Sequence, residues 1–141
     1  MPLSLIHISE PTRLPFVHKN TFCGLCGKLI EAYDDIIAVP SIFCNRNDPM
    51  YAYNDRAFHK KCFESAEGAE KILHFIELVK KEYSKKECCI CGDKILSADD
   101  MVFVPVISSN EENAVSKYNC RSFHKNCYEM SGAKADIEAY L

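Results

Sequence analysis

Apolar residues at helical spacing mark one long stretch near the middle of the chain, residues 69–83. Its apolar positions recur every three or four residues, so they fall on one face of a helix, and charged or polar residues fall on the other. The pattern predicts an amphipathic helix followed by a short linker at residues 84–87. The apolar stripe consists of Ile72, Phe75, Ile76, Val79 and Tyr83, opposite Glu70, His74, Glu77 and Lys81.

Short β-rich runs lie on either side of this helix. Residues 36–39 and 101–104 are apolar, and each run is followed by a proline. Because proline has no backbone N–H, it favours the end of a strand at these positions. The other predicted segments are β-runs at residues 29–30, 95–96, 51–53 and 116–118, and polar loops at residues 44–49 and 108–113.

The two halves of the chain align without a gap at an offset of 65 positions, from Cys23 to Cys88. A fixed offset shared by all metal-type residues indicates a duplicated unit. Gly27 falls on Gly92 at the same offset, and a Tyr-Asn-x-Arg-x-Phe-His-Lys-x-Cys motif recurs in both halves. The cysteines and histidines that align are Cys23 with Cys88, Cys26 with Cys91, His59 with His124, and Cys62 with Cys127.

The repeat predicts the organisation of the chain. Within the N-terminal tail, residues 3–13 resemble a translated sequencing-library adaptor, so we interpret this segment as an artefact that replaces the natural start. The second unit ends opposite Ile76 of the first, so its last helix is expected to be shorter, or the chain to be truncated. The predicted segments are a tail at 1–21, a first repeat unit at 22–68, a helix and linker at 69–86, and a second repeat unit at 87–141.

Cysteine is unusually frequent, with nine residues in a chain of 141. Such a content indicates either the disulfide framework of a secreted protein or the metal sites of an intracellular one. Cys-x-x-Cys and His-x-x-Cys pairs, the odd total and the lack of a credible signal peptide favour metal sites in a cytoplasmic or nuclear protein. No apolar stretch is long enough to cross a bilayer. A formal net charge of -3 argues against non-specific nucleic-acid binding.

Each unit contains one set of three cysteines and one histidine. A Cys-x-x-Cys pair on a turn and a His-x-x-Cys pair at a helix start can supply opposite edges of a tetrahedron. Four such ligands suit zinc and leave no open position for water, which predicts structural rather than catalytic sites. We therefore expect two zinc ions per chain, one held by Cys23, Cys26, His59 and Cys62 and the other by Cys88, Cys91, His124 and Cys127.

Other interpretations of the cysteines stay open. A dithiol redox pair normally opens a helix, which neither Cys-x-x-Cys is predicted to do. A disulfide framework would not explain the aligned histidines, and iron–sulfur clusters usually use cysteines alone. Cys44, Cys89 and Cys120 have no partner at the offset and are interpreted as ordinary buried or half-exposed thiols. The aspartate pairs at 34–35 and 99–100 are interpreted as solvated turns.

The order of these motifs resembles that of treble-clef zinc fingers, in which a Cys-x-x-Cys knuckle and a β-hairpin precede a helix carrying the last two ligands. Residues 23–28 and 58–63, and their counterparts in the second half, are similar to the first zinc site of LIM domains. The second cysteine cluster of a LIM domain is missing at residues 64–68, and RING and PHD fingers need eight ligands. The resemblance implies a small, metal-stabilised α+β fold with two tandem treble-clef-like units joined by the amphipathic helix.

Such fingers imply, by resemblance, a scaffold that binds other macromolecules, most often proteins. We therefore expect a non-enzymatic adaptor for protein–protein interaction, with the two polar loops and the amphipathic helix as candidate surfaces and no membrane association. A nucleic-acid-binding protein is the main alternative, followed by a RING-like ubiquitin ligase or a treble-clef nuclease. The phosphate contacts of a nucleic-acid binder would be Arg56, Lys60, Lys61, Arg121 and Lys125.

Overall fold

The computed structural model describes residues 11–15, 17 and 20–141. It is a small α+β fold, as predicted, in which one arrangement occurs twice: an antiparallel hairpin followed by two helices. Residues 3–10 of the adaptor-like segment lie outside the described residues. The elements are β1 (Ile36–Val39), β2 (Arg56–His59), α1 (Lys60–Glu64), α2 (Ala69–Lys85), β3 (Met101–Val104), β4 (Arg121–His124), α3 (Lys125–Met130) and α4 (Ala133–Tyr140).

In each hairpin, a strand that the sequence predicted pairs with a strand that ends at the histidine predicted to bind metal. Ile36 of β1 lies opposite His59, and Met101 of β3 lies opposite His124. The predicted strands β1 and β3 are confirmed with their expected ends, directly before a proline in both units. The hairpins therefore fix where each histidine leaves the sheet.

The strands predicted at residues 51–53 and 116–118 are wrong. These residues lie in 3-10 helices, Pro49–Tyr53 and Ala114–Tyr118. A polar side chain caps each helix, since Asp48 accepts a hydrogen bond from the Met50 N–H at 2.9 Å and Asn113 accepts one from the Val115 N–H at 3.1 Å. These local bonds favour a helical turn over the strand that the aromatic residues indicated.

Helix α2 confirms the predicted amphipathic helix and extends two residues beyond it, to Lys85. It begins after Gly68, whose φ of 86° lies in the left-handed region that favours glycine. The predicted stripe is buried, apart from Tyr83, which is half-buried. The stripe contacts both units, because Phe75 packs edge-on against Phe43 of the first and Tyr83 against Phe103 of the second. The helix thus packs the two units on one shared core.

The two units also contact each other directly. Phe43 forms a parallel bridge with Val106, whose N–H donates to the Ile42 carbonyl at 2.8 Å. Beside this bridge, the Ser109 N–H donates to the buried Asp48 carboxylate at 2.7 Å. The two loops that are candidate partner surfaces therefore pack on each other over part of their length, while residues 46–47 and 110–112 are exposed. The buried loop residues are Cys44, Asn45, Asp48, Ser108 and Ser109.

A second, smaller core lies between the second hairpin and helices α3 and α4. Val102 and Phe123 of the hairpin pack with Tyr128 of α3 and with Ala133 and Ile137 of α4. Helix α4 has 8 residues and α2 has 17. None of the helices in the described part of the chain has the length and apolar composition needed to span a bilayer.

Candidate metal centres

The first two cysteines of each set lie on a tight turn before the hairpin. In the first unit, the Gly27 N–H donates to the Cys23 carbonyl at 3.0 Å, and the Cys23 N–H donates to the Lys28 carbonyl at 2.8 Å. The second unit repeats this turn, with the Gly92 N–H donating to the Cys88 carbonyl at 2.9 Å. Both glycines have a positive φ, 74° and 79°, which explains why the turn requires glycine there.

The histidine and the third cysteine of each set come from the junction between the second strand and the short helix that follows. His59 is the last residue of β2 and Cys62 lies in the first turn of α1; His124 and Cys127 occupy the same places in β4 and α3. The turn is bonded to this strand, since the Gly24 N–H donates to the Ala57 carbonyl at 3.1 Å. The hairpin therefore carries the distant pair back to the turn.

All eight predicted residues fall into two clusters, one in each unit. Within each cluster the three Sγ atoms and one histidine nitrogen all lie within 4.8 Å of one another. Nδ1 of His59 is 3.3 Å from Cys26 Sγ and 3.9 Å from Cys62 Sγ, and Nδ1 of His124 is 3.3 Å from Cys91 Sγ. A tetrahedral zinc ion would hold sulfur and nitrogen ligands about 3.5 Å apart, so these separations fit one ion in each cluster.

The electrostatics of the thiols also favour a bound cation. Burial raises the pKa of Cys23, but backbone N–H groups, first that of Cys26, outweigh it and lower the pKa to about 6. Cys88 has a pKa of about 6 through the same balance. Burial and the neighbouring thiolates raise the pKa of Cys62 and of Cys127 to about 11. One thiolate forms readily in each cluster, and a cation would stabilise the others, since metal ions bind cysteine as thiolate.

The three unmatched cysteines lie outside both clusters. Cys44 and Cys120 are buried at the contact between the units, and burial raises the pKa of each thiol to about 12. Cys89 is exposed and occupies the position of Gly24, next to the first ligand of the second set. Their interpretation as ordinary thiols agrees with these positions, and Cys120 does not join the cluster of His124.

One partner of the histidines was missed by the sequence analysis. Asp34, interpreted as part of a solvated turn, places Oδ2 3.1 Å from Nε2 of His59, and the same oxygen accepts the Glu31 N–H at 2.7 Å. In the second unit, Nε2 of His124 lies 3.2 Å from the Lys94 carbonyl oxygen and 4.0 Å from Asp100 Oδ2. Recurrence of the aspartate pairs at the 65-position offset was the available signal, and it was assigned to turn formation.

What the site can do chemically follows from its four protein ligands. Soft sulfur donors with one imidazole suit zinc better than magnesium or calcium, which prefer oxygen. A fourth protein ligand occupies the position that a catalytic zinc keeps for water or substrate. The geometry therefore supports two metal sites, each with four protein ligands. Comparisons with protein-family models, with curated proteins and with solved structures give no match to this chain.

Proposed function

We propose that this chain is a zinc-binding adaptor in which each of two structural zinc ions closes a treble-clef-like unit. The observation that carries the proposal is the convergence of three thiols and one imidazole in each unit from segments about 33 positions apart. The Cys-x-x-Cys pair and the His-x-x-Cys pair of a unit are far apart in sequence. One ion bound by both pairs would therefore fix the turn against the hairpin. Each unit has the order of knuckle, hairpin and helix that treble-clef fingers share.

An adaptor role is supported by the surface next to the metal sites. Leu25 and Ile90 occupy the same position within the two knuckles and expose 42% and 52% of their surface. Exposed apolar residues at equivalent positions of both units favour contact with a protein, because a nucleic-acid interface would place cations there. These knuckles replace the packed polar loops as the proposed partner surface.

Little supports the nucleic-acid alternative at the cations that the sequence indicated. Lys60 forms an ion pair with Glu64 at 3.9 Å, and Arg121 donates to the Lys117 carbonyl at 3.3 Å. The groove beside the first cluster contains Asp34, Asp35 and Glu64 as well as lysines. Mixed charge of this kind is a poor match for a phosphate backbone.

The test of the metal sites is elemental analysis of purified, reduced protein with its thiols counted. We expect two zinc ions per chain, with about one lost in Cys62→Ser and one in Cys127→Ser. Cys89→Ser, an exposed thiol outside both clusters, is the control and should keep two. Chelation should unfold the protein, because a structural zinc contributes on the order of 10 kcal/mol to the folding of small domains. A folded, metal-free chain would refute the proposal.

The adaptor role needs a separate measurement. Titration with DNA and RNA at several salt concentrations should show no affinity that falls with salt, and plasmid DNA should not be cleaved in the presence of zinc. Leu25→Asp and Ile90→Asp should keep both ions and the fold, since these side chains are exposed. Salt-dependent nucleic-acid binding would replace the adaptor by the alternative function.

A further inference from the structure

We infer that Asp34 is a positioning residue that makes the first site hold its ion more tightly than the second. The inference rests on the proposed zinc-binding function and adds an inequivalence of the two sites. The ligand sets are identical in type, so any difference must come from groups around them. One such difference in the described structure is the partner of the histidine nitrogen that faces away from the sulfurs.

In the first site this partner is a fixed carboxylate. Nδ1 of His59 faces the thiols, and Nε2 lies 3.1 Å from Asp34 Oδ2. The Glu31 N–H holds the same oxygen at 2.7 Å, and only 24% of the Asp34 side-chain surface is exposed. The carboxylate therefore fixes the tautomer with a proton on Nε2, which leaves the Nδ1 lone pair for the ion. The carboxylate also raises the basicity of the imidazole, so Nδ1 gives its electron pair to the ion more strongly.

In the second site the partner is a neutral carbonyl. Nε2 of His124 is 3.2 Å from the Lys94 oxygen, and Asp100 is 4.0 Å away with 51% of its side-chain surface exposed. The counterpart of Asp34 is Asp99, which lies in the 3-10 helix Ala98–Asp100. Ser97 caps that helix by accepting the Asp99 N–H at 3.2 Å, so the local turn differs from that of the first unit. The second histidine therefore has a carbonyl at hydrogen-bond distance, and the Asp100 carboxylate lies beyond that distance.

The expected consequence is stepwise release of metal. Removing the partner of a ligating histidine altogether typically lowers metal affinity by about 10- to 100-fold, so replacing a carboxylate partner by a neutral carbonyl should lower it by less than that. The second site should therefore release its ion first. Partial removal of zinc would then leave a chain with an ion at the site of His59 and none at the site of His124. The second unit would then act as the labile half of the pair under limiting zinc.

The test follows zinc transfer from the fully loaded protein to a chromogenic chelator. Wild type should release one equivalent quickly and one slowly. Asp34→Asn gives His59 a neutral partner like that of His124, so it should speed the slow phase toward the rate of the fast phase, by up to about 10-fold, and leave the fast phase unchanged. Its amide keeps an oxygen that can accept the Glu31 N–H, so the turn should fold. Asp100→Asn is the matched control and should change neither phase.

Cadmium-substituted protein provides the second measurement, because each site gives its own ¹¹³Cd resonance. Asp34→Asn should shift one resonance and Asp100→Asn neither. Equal release of both zinc ions in wild type, or equal effects of the two substitutions, would overturn the inference while leaving two zinc ions per chain. A protein with no zinc at all would instead refute the proposed function.

Discussion

Two hydroxyl groups of the second unit, those of Ser122 and Tyr128, are buried without a hydrogen-bond partner among the described residues. The positions 65 residues earlier are Ala57 and Phe63, which are equally buried and have no hydroxyl. Desolvating an unpaired hydroxyl opposes folding. The first unit thus shows that each of these two positions can hold the same side chain without its hydroxyl group.

We predict that Tyr128→Phe and Ser122→Ala leave the zinc-loaded protein as stable as wild type or stabilise it by about 1–3 kcal/mol each. The reason is that each change removes an unpaired polar atom and keeps the remaining packing. The reverse changes in the first unit, Phe63→Tyr and Ala57→Ser, serve as controls and should destabilise. Urea unfolding at saturating zinc measures all four, and a clear loss of stability in the first pair would contradict the prediction.

In each unit, an asparagine that directly follows the 3-10 helix and precedes the second strand binds the segment after the first strand. Oδ1 of Asn54 accepts the Ile42 and Phe43 N–H groups at 3.1 and 3.0 Å, and Nδ2 donates to the Phe43 carbonyl at 2.6 Å. Asn119 makes the same three bonds with Ile107 and Ser108. This bonding holds the segments that carry the contact between the units.

Asn119→Ala should lower the free energy of unfolding by at least about 2 kcal/mol, because it leaves two N–H groups and one carbonyl without their partner. Asn119→Asp keeps the acceptor and loses the donor, so an intermediate loss is expected. Asn126→Ala, an exposed asparagine in α3, is the control and should stay within about 0.5 kcal/mol of wild type. Thermal unfolding with zinc present distinguishes these outcomes, and equal loss in both alanine variants would be inconsistent with the role of Asn119.

Among the helices and strands, the sequence predicted those whose apolar pattern begins and ends at clear positions. Strands β1 and β3 are apolar runs before a proline, and α2 has a complete apolar stripe. The 3-10 helices were missed because tyrosines such as Tyr51 and Tyr53 are common in strands. The hydrogen bond by which Asp48 caps the first of these helices favours the helical turn instead. The role of Asn54 could not be predicted, since a recurring asparagine does not indicate which backbone groups it will meet.

At the scale of the whole molecule, the larger of the two described cores contains residues of both units. Cys23 of the first metal set and Cys88 of the second both belong to it, together with the buried face of α2. All eight cluster residues were predictable from their spacing. The contact between the units was not, because Phe43 meets Val106, and their counterparts are Ser108 and Ser41. Because the two residues in contact occupy different positions of the repeat, aligning the two halves of the sequence does not reveal the contact.

Asp48→Ala should destabilise the protein more than Asn113→Ala, its counterpart in the second unit. Both changes remove a helix cap, worth about 1 kcal/mol, but only Asp48 also accepts an N–H from the other unit, that of Ser109. A bond to a charged group adds about 1.5–3 kcal/mol. Thermal unfolding of the two variants at saturating zinc measures the difference. Equal losses would mean that the bond between the units contributes nothing.

The bridge between Phe43 and Val106 limits how this duplication can be used as a building block. Fingers that fold separately can be shuffled, deleted or grafted one at a time. Here either half taken alone would leave Phe43 or Val106, both buried in the intact protein, uncovered by its neighbour. For protein engineering the smallest portable piece is therefore the pair, and a transplanted single finger should aggregate even when its own zinc is bound.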